Sequence, residues 1–307
     1  MTDHKPMPNA PPLADPQPID LDLLVVGGLT VDRFADGRSL PGGSVLHAVR
    51  ALRATSARVG VVTLAGDEPA ARDGLRELRD TAAAVHVQRA AQSIGFEHTE
   101  TPAGSRLVFD RSAGTLRLPP AMQPAVPAAV LFAPVADELD PDLGGRLFPG
   151  ARRGAILQGW LRNLRQGRLV TPRQVSALPH PLSDTLATFD LLVASHEDLG
   201  AVAPTPSGQL AAFRLHIGAG PVLVVTEGAA GAWVDLTPTQ TDRSERWHMS
   251  VGRVVAGVNA VGAGDALAAA FLIRWPAKVT RATLTDEIRR AMHVVELQLA
   301  GRAIERG

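Results

Sequence analysis

The stretch Val258-Asn259-Ala260-Val261-Gly262-Ala263-Gly264-Asp265, running on into Ala266-Leu267-Ala268-Ala269-Ala270-Phe271-Leu272, reads as a glycine-bearing turn that opens an apolar, alanine-rich helix. Gly262 and Gly264 can take positive φ angles and let a ligand come close to the backbone. The first N–H groups of a helix have no internal partner and lie at the positive end of its dipole, so a turn of this kind can hold an anion. One carboxylate, Asp265, stands at the junction. Beside an anion it is repelled, unless its task is to take a proton from a hydroxyl close to a phosphate. Taken alone, the pattern leaves two readings open for Asp265, an N-terminal helix cap and a base.

Outward from this stretch the chain alternates between short apolar runs and amphipathic segments. Leu21 to Val26 is a strand-like run ending at Gly27-Gly28 and followed by Leu29-Thr30-Val31-Asp32. Pro41-Gly42-Gly43-Ser44 precedes a helical pattern over Val45 to Ala54, with Ser44 as the expected N-cap. Val59 to Leu64 is the next strand and Ala70 to Asp80 the next helix. This rhythm predicts βαβ units and a mostly parallel sheet, whose ligands gather at the carboxyl ends of the strands. Asp32 stands at such an end, where it is either a ligand group or a turn residue. Gly42 and Gly43 offer bare backbone N–H groups at the next turn. A dinucleotide fingerprint requires G-x-G-x-x-G after the first strand, and only Gly27-Gly28 is present, so nicotinamide chemistry is disfavoured.

Between about Ser93 and Leu118 the rhythm breaks. Ile94 to Thr101 alternates with period two, Pro102-Ala103-Gly104-Ser105 reads as a four-residue loop, and Arg106 to Asp110 returns as a strand. A hairpin inserted into a βαβ chain is a candidate lid. Glu97, Arg106 and Asp110 either reach a polyol from it or form its solvated face, and His98 carries the same ambiguity.

Further strands are expected at Ala128 to Phe132, Gly154 to Gln158, Asp190 to Ala194 and Pro221 to Val225, with edge strands at Trp233 to Leu236 and Arg246 to Val255. Gln158 and Arg162 fall near one strand end, where Arg162 is either a phosphate ligand or a surface cation. Ser195-His196-Glu197-Asp198 follows another, as a helix cap or as a hold on hydrated Mg2+ through water. Thr226-Glu227-Gly228-Ala229-Ala230-Gly231 follows a third. Gly167 to Pro181 reads as a polar, proline-punctuated loop, and the last helices as Asp265 to Trp275 and about Leu284 to Ala300.

The chain has 307 residues, enough for one large α/β domain or two smaller ones. Its formal net charge is zero, so no global field draws it to nucleic acid or to an anionic membrane. There is no cysteine, which excludes disulfides, thiolate metal sites and a cysteine nucleophile and is compatible with the cytoplasm. No apolar run reaches the roughly 18 residues that would span a bilayer. Met1 to Asp20 is polar and proline-rich and lacks the apolar core of a signal peptide, which predicts a disordered tail.

In order and spacing, four of these turns resemble the ribokinase-like, phosphofructokinase-B-type carbohydrate kinases, over residues 21 to 302. Gly27 to Asp32 is similar to the family's first strand with its substrate-binding Asp, and Gly42-Gly43 to its substrate-contacting glycine pair. Thr226-x-Gly228-x-x-Gly231 is similar to the nucleotide-loop motif. Gly262-Ala263-Gly264-Asp265 is similar to the anion hole and catalytic base. The resemblance implies a three-layer α/β/α sandwich over residues 21–307, with lid segments near 33–41 and 93–118. It implies ATP and Mg2+ as cofactors, Asp265 as general base, and Gly262, Ala263 and Gly264 as the anion hole. Asp32, Gly42, Gly43, Glu97 and Arg162 are then the acceptor-binding set. Thr226, Gly228, Gly231, Ser195 and Asp198 are the nucleotide set, with Asp198 meeting the metal through water.

Two positions depart from the family pattern. Asn259-Ala260 stands where the family usually has Asp-Thr, which removes a charge associated with a monovalent-cation site, so K+ dependence is not expected. Ser195 and Asp198 stand in for the Asn and Glu of Asn-x-x-Glu. The Phe96-Glu97-His98-Thr99 hairpin and the Gln158 to Arg162 stretch resemble the inositol kinase-like branch. The expectation is therefore a cytoplasmic kinase of a small sugar or polyol, myo-inositol being one candidate, with a homodimer through the lid. The alternative is a degenerate, non-catalytic family member that binds a ligand or regulates.

Overall fold

The computed structural model describes residues 19–101, 104–118, 127–143, 148, 150–174, 180–200, 202–238, 243–256, 258 and 260–304. Most of the tail expected at 1–20, the Pro102-Ala103 tip of the hairpin and Asn259 lie outside them.

The first half of the chain forms β1 (Leu21–Gly28), β2 (Thr30–Phe34), β3 (Ser39–Gly42), α1 (Ser44–Leu52), β4 (Val59–Ala65), α2 (Pro69–Thr81), β5 (Ala84–Arg89), β6 (Ile94–Thr101), β7 (Gly104–Arg111) and β8 (Pro127–Phe132). Next come β9 (Arg152–Ile156), α3 (Gln158–Leu161), β10 (Arg162–Asn163), β11 (Arg168–Leu169), β12 (Thr171–Pro172), α4 (His180–Leu186), β13 (Leu191–Ser195) and α5 (Pro206–Ile217). The chain closes with β14 (Val222–Thr226), a 3-10 turn at Gly228–Ala230, β15 (Ala232–Leu236), β16 (Glu245–Met249), α6 (Ala263–Leu272) and α7 (Arg281–Ile304).

Leu23, Leu24, Val25 and Val26 are all fully buried, which is why β1 reads as a continuous apolar run rather than an alternating one. It lies inside a nine-stranded sheet of order β16-β15-β14-β13-β9-β8-β1-β4-β5. The strands from β14 to β5 pair in parallel, and β15 and β16 add antiparallel pairs at one edge. On one face Leu23 and Val25 pack with side chains of α1, α2, α6 and α7. On the other, Leu24 and Val26 share a core with Leu182 and Leu186 of α4 and Leu210, Phe213 and Ile217 of α5. The result is the expected three-layer α/β/α sandwich. Among the described residues no helix is long and apolar enough to cross a membrane.

A second, five-stranded sheet of order β11-β7-β6-β2-β3 leaves the first directly after β1. Three local expectations are corrected here. The β6–β7 ladder runs on to Thr101↔Gly104, so the hairpin connection is two residues rather than four. Within the segment read as loop from Gly167, Arg168–Leu169 forms β11 and pairs with Val108 and Phe109 of β7. The last edge strand stops at Met249, well before Val255. Strands too short to show a period carry no local signal, which is how β11 escapes sequence reading.

Candidate active site

Two glycines let α1 and α6 begin where they do. Gly43 is the N-cap of α1 at φ 99, with Ser44 already the first helical residue. The expectation of Ser44 as cap is therefore corrected by one position. The reason is steric, since a Cβ on Gly43 would lie 2.6 Å from the Gly28 carbonyl oxygen. Gly262 is the N-cap of α6, in the left-handed region at φ 82. A Cβ there would lie 2.1 Å from Cγ of His47, which projects from α1. Because α1 packs along α6, the start of one helix sits against the flank of the other.

Asp265 is the third residue of α6 and is 7% exposed. Since Gly262 holds the cap position, the capping reading does not describe this helix start. Burial pushes the Asp265 carboxyl up to about 6. The Ser44 hydroxyl and the Arg162 guanidinium pull in the opposite direction, while Asp198 pushes further up. Gln158 Nε2 donates to Ser44 Oγ at 2.6 Å, which ties α3 to the start of α1 beside the carboxylate. Arg162 Nε donates to Asp198 Oδ1 at 2.7 Å.

Beside the α6 turn, Thr226 ends β14 with its hydroxyl 3.7 Å from where a Cβ on Gly264 would stand. Ser195 pairs with Thr226 in the parallel register of β13 and β14. Gly228 and Gly231 both have positive φ, at 56 and 114. At Gly231 a Cβ would meet the Met249 carbonyl oxygen at 2.0 Å, so only glycine lets this turn close on β16.

On the second sheet, Asp32 Oδ1 accepts from Thr30 Oγ1 at 2.9 Å, and a Cβ on Gly42 would lie 2.3 Å from Asp32 Oδ2. The parallel register pairs Asp32 with Phe96 and Phe34 with His98. Those four residues share one face. On it His98 Nε2 lies 3.6 Å from Asp32 Oδ2, and the His98 ring stacks on Phe34 at 4.9 Å. Phe96 packs with Val135 and Ala136 of the loop after β8, so this face looks toward the main sheet. Glu97 pairs with Arg33 on the opposite face, where Arg33 also meets Asp110.

Asp265, Gly262, Gly264, Thr226, Ser195, Arg162 and Asp198 thus come together at the carboxyl ends of the strands. Asp32, Gly42 and Gly43 join them through the start of α1. Glu97 does not converge with Asp32. Sequence reading left Ser44 out of the site and did not assign Gln158 or His98 to it. The signal for His98 was the period-two alternation of Phe96-Glu97-His98, which places it with Phe96. Arg162 engages one oxygen of Asp198, Oδ1. No group of three or more His, Asp or Glu suited to a metal occurs among the described residues, so a divalent ion here would be held through water and phosphate oxygens rather than by a protein cage.

The sequence pattern of the pfkB family carbohydrate kinases matches residues 16–299. The chain belongs to this family.

No curated protein matches it. Among solved structures, the pfkB-family chain is similar to a pyrophosphate-dependent kinase in the ribokinase family complexed with a pyrophosphate analog and myo-inositol, at TM-score 0.69 and 18% identity, with 90% of this chain and 94% of that one covered. It is also similar to fructokinase from Vibrio cholerae O395 in a fructose, ADP and calcium ion bound form (TM-score 0.59, 19% identity, coverage 90% and 92%). Ribokinase from Arabidopsis thaliana complexed with ribose and ATP gives TM-score 0.63 at 14% identity, with coverage 92% and 99%. At these identities the likeness is one of fold.

Proposed function

We propose that this protein transfers the γ-phosphoryl group of ATP to a hydroxyl of a small sugar or polyol. The observation that carries the reading is Asp265, a carboxylate buried at the start of α6 beside a left-handed glycine turn, with its pKa raised to about 6. A base poised near the working pH combines the deprotonated state with proton affinity. The acceptor hydroxyl gives its proton to Asp265 as its oxygen bonds to the γ-phosphorus, and the bond from that phosphorus to the bridging oxygen of ADP breaks. The N–H groups of Gly262 and Gly264 stabilise the charge on the transferring group, which is where phosphoryl transfer gains most, while Ala263 N, expected beside them, donates to the Ala260 carbonyl at 3.0 Å. Thr226, Gly228, Gly231 and Ser195 line the nucleotide side, and Arg162, held by Asp198, lies on the acceptor side.

Asp32, Gly42 and Gly43 receive the acceptor, and the second sheet acts as the lid that excludes water. A face bearing one carboxylate and one imidazole suits a ring rich in hydroxyls. The fold likeness to a myo-inositol-bound kinase adds myo-inositol to the candidates, and that same likeness brings pyrophosphate in as a donor to be compared with ATP. A homodimer through the lid would use the open edge of β3, where Leu40 is exposed.

The test is phosphoryl transfer from ATP and from pyrophosphate to a panel of polyols, sugars and nucleosides, with Asp265→Asn as control. Turnover by the parent alone supports the assignment. Ligand binding without turnover by either protein favours the non-catalytic reading.

A further inference from the structure

Glu138, in the loop after β8, is fully buried, and no cation pairs with its carboxylate among the described residues. An ionised group in such a place is costly unless its lone pairs are used. Here they are used by backbone alone. Oε1 accepts from Gly28 N at 2.8 Å and from Val135 N at 3.0 Å, and Oε2 accepts from Ala136 N at 2.8 Å. Burial raises the pKa of this carboxyl, and the three N–H donors pull it back.

The positions of those donors matter more than their number. Gly28 is the last residue of β1, and the chain passes from it through Leu29 into β2, which carries Asp32. The side of Gly28 that lacks a Cβ faces Ile94, the first residue of β6, whose Cδ1 would lie 2.4 Å from an added Cβ, with Glu138 Oε1 at 3.1 Å. Both strands that enter the second sheet therefore meet at the residue Glu138 holds. The Glu138 carbonyl in turn accepts from Leu116 N at 2.7 Å, on the segment that returns from that sheet. The same loop holds α3, because Gly159 N donates to Pro134 O at 3.1 Å and Trp160 Nε1 to Leu139 O at 2.9 Å. α3 begins with Gln158 and leads into Arg162.

We infer that Glu138 is a positioning residue, which fixes the strand bearing Asp32 and the entry to the second sheet against the loop that holds Gln158 and Arg162. It touches neither substrate nor reacting atoms. It keeps the two halves of the acceptor site in register while the rest of the second sheet moves. The inference rests on the proposed kinase reading for its kinetic consequence, and on the hydrogen bonds alone for its structural one.

The experiment pairs hydrogen–deuterium exchange with kinetics on the full chain carrying Glu138→Gln. An amide keeps the shape but turns an NH2 group toward backbone donors. Exchange should rise in 21–34 and 94–101 and stay as in the parent in 191–195 and 222–226. Acceptor KM should rise about tenfold or more, as expected when reacting groups lose register, with donor KM unchanged. Exchange that rises evenly over the chain, or nowhere, overturns the inference, as does an equal rise in both KM values. If Glu138→Gln does not fold, Gly28→Ala disturbs the same pivot with the carboxylate in place, and the same outcomes decide. A parent inactive toward every acceptor sinks the kinase reading instead, and the exchange pattern then decides the positioning role.

Discussion

Arg162 Nε lies 2.7 Å from Oδ1 of Asp198, and the two residues stand on opposite sides in their influence on Asp265. Asp198 is 5% exposed, so removing Arg162 strands a buried carboxylate. The loss of stability in Arg162→Ala should be of the order of 3 kcal/mol, a typical cost of breaking a largely buried pair from one side. The pH dependence gives a sharper test. Without the guanidinium the Asp265 pKa rises, so the acid limb of the kcat/KM profile moves to higher pH. In Asp198→Asn the neighbouring negative charge is gone and the limb moves to lower pH. Shifts of the same sign in both variants would mean that the limb does not report Asp265.

Asp265 should trade stability for function. Its folded pKa of about 6 lies above its ordinary value of 3.8. Between those values the folded chain binds more protons than the unfolded one, so stability falls as pH rises through this window and stays low above it. The gap corresponds to roughly 3 kcal/mol at neutral pH and above. Asp265→Asn should therefore be more stable than the parent at pH 8, with the advantage gone below pH 4, by thermal melts across that range. Activity should fall about 10²–10⁴-fold, the usual cost of losing a general base. A variant that is inactive and also less stable at pH 8 would contradict the burial argument.

The glycines of the two phosphate-side turns should not behave alike. Gly262→Ala meets both a left-handed φ of 82 and the His47 ring at 2.1 Å. Gly228→Ala meets a left-handed φ of 56 with open space around its Cβ. The second substitution should cost only the backbone term, about 1–2 kcal/mol. The first should cost clearly more in a denaturant titration and should also lower kcat, because α1 and α6 must part to accommodate it. Equal losses would show that the His47 contact gives way freely.

These residues also show which parts of the protein were legible in the chain. The four turns were, because each is local: glycine, a small residue and an acid within a few positions of a strand end. The parallel sheet was legible because buried strands such as Leu23 to Val26 carry no polar alternation. Glu138 was not, since its meaning lies in three N–H groups, one of them on Gly28, 110 residues earlier in the chain. Ser44 looked like a cap because serine so often is one. The Gly28 carbonyl, which no local window contains, puts Gly43 there instead. Glu97 was readable in principle. Period two separates it from Phe96 and His98, and a buried Phe96 decides which face is inward.

That separation yields the last prediction. His98 shares a face with Asp32 at 3.6 Å, whereas Glu97 lies on the other face with its side chain 47% exposed and paired to Arg33. If the acceptor meets the second sheet on the Asp32 face, His98→Ala should raise acceptor KM with donor KM unchanged, and Phe34→Ala should do the same through loss of the ring that stacks on His98. Glu97→Ala should leave both constants within about twofold, since an exposed ion pair contributes at most about 1 kcal/mol. Steady-state kinetics with each substrate varied in turn would read this directly. A large acceptor effect at Glu97 and none at His98 would reverse the inward face, placing Arg33, Glu97 and Asp110 against the acceptor.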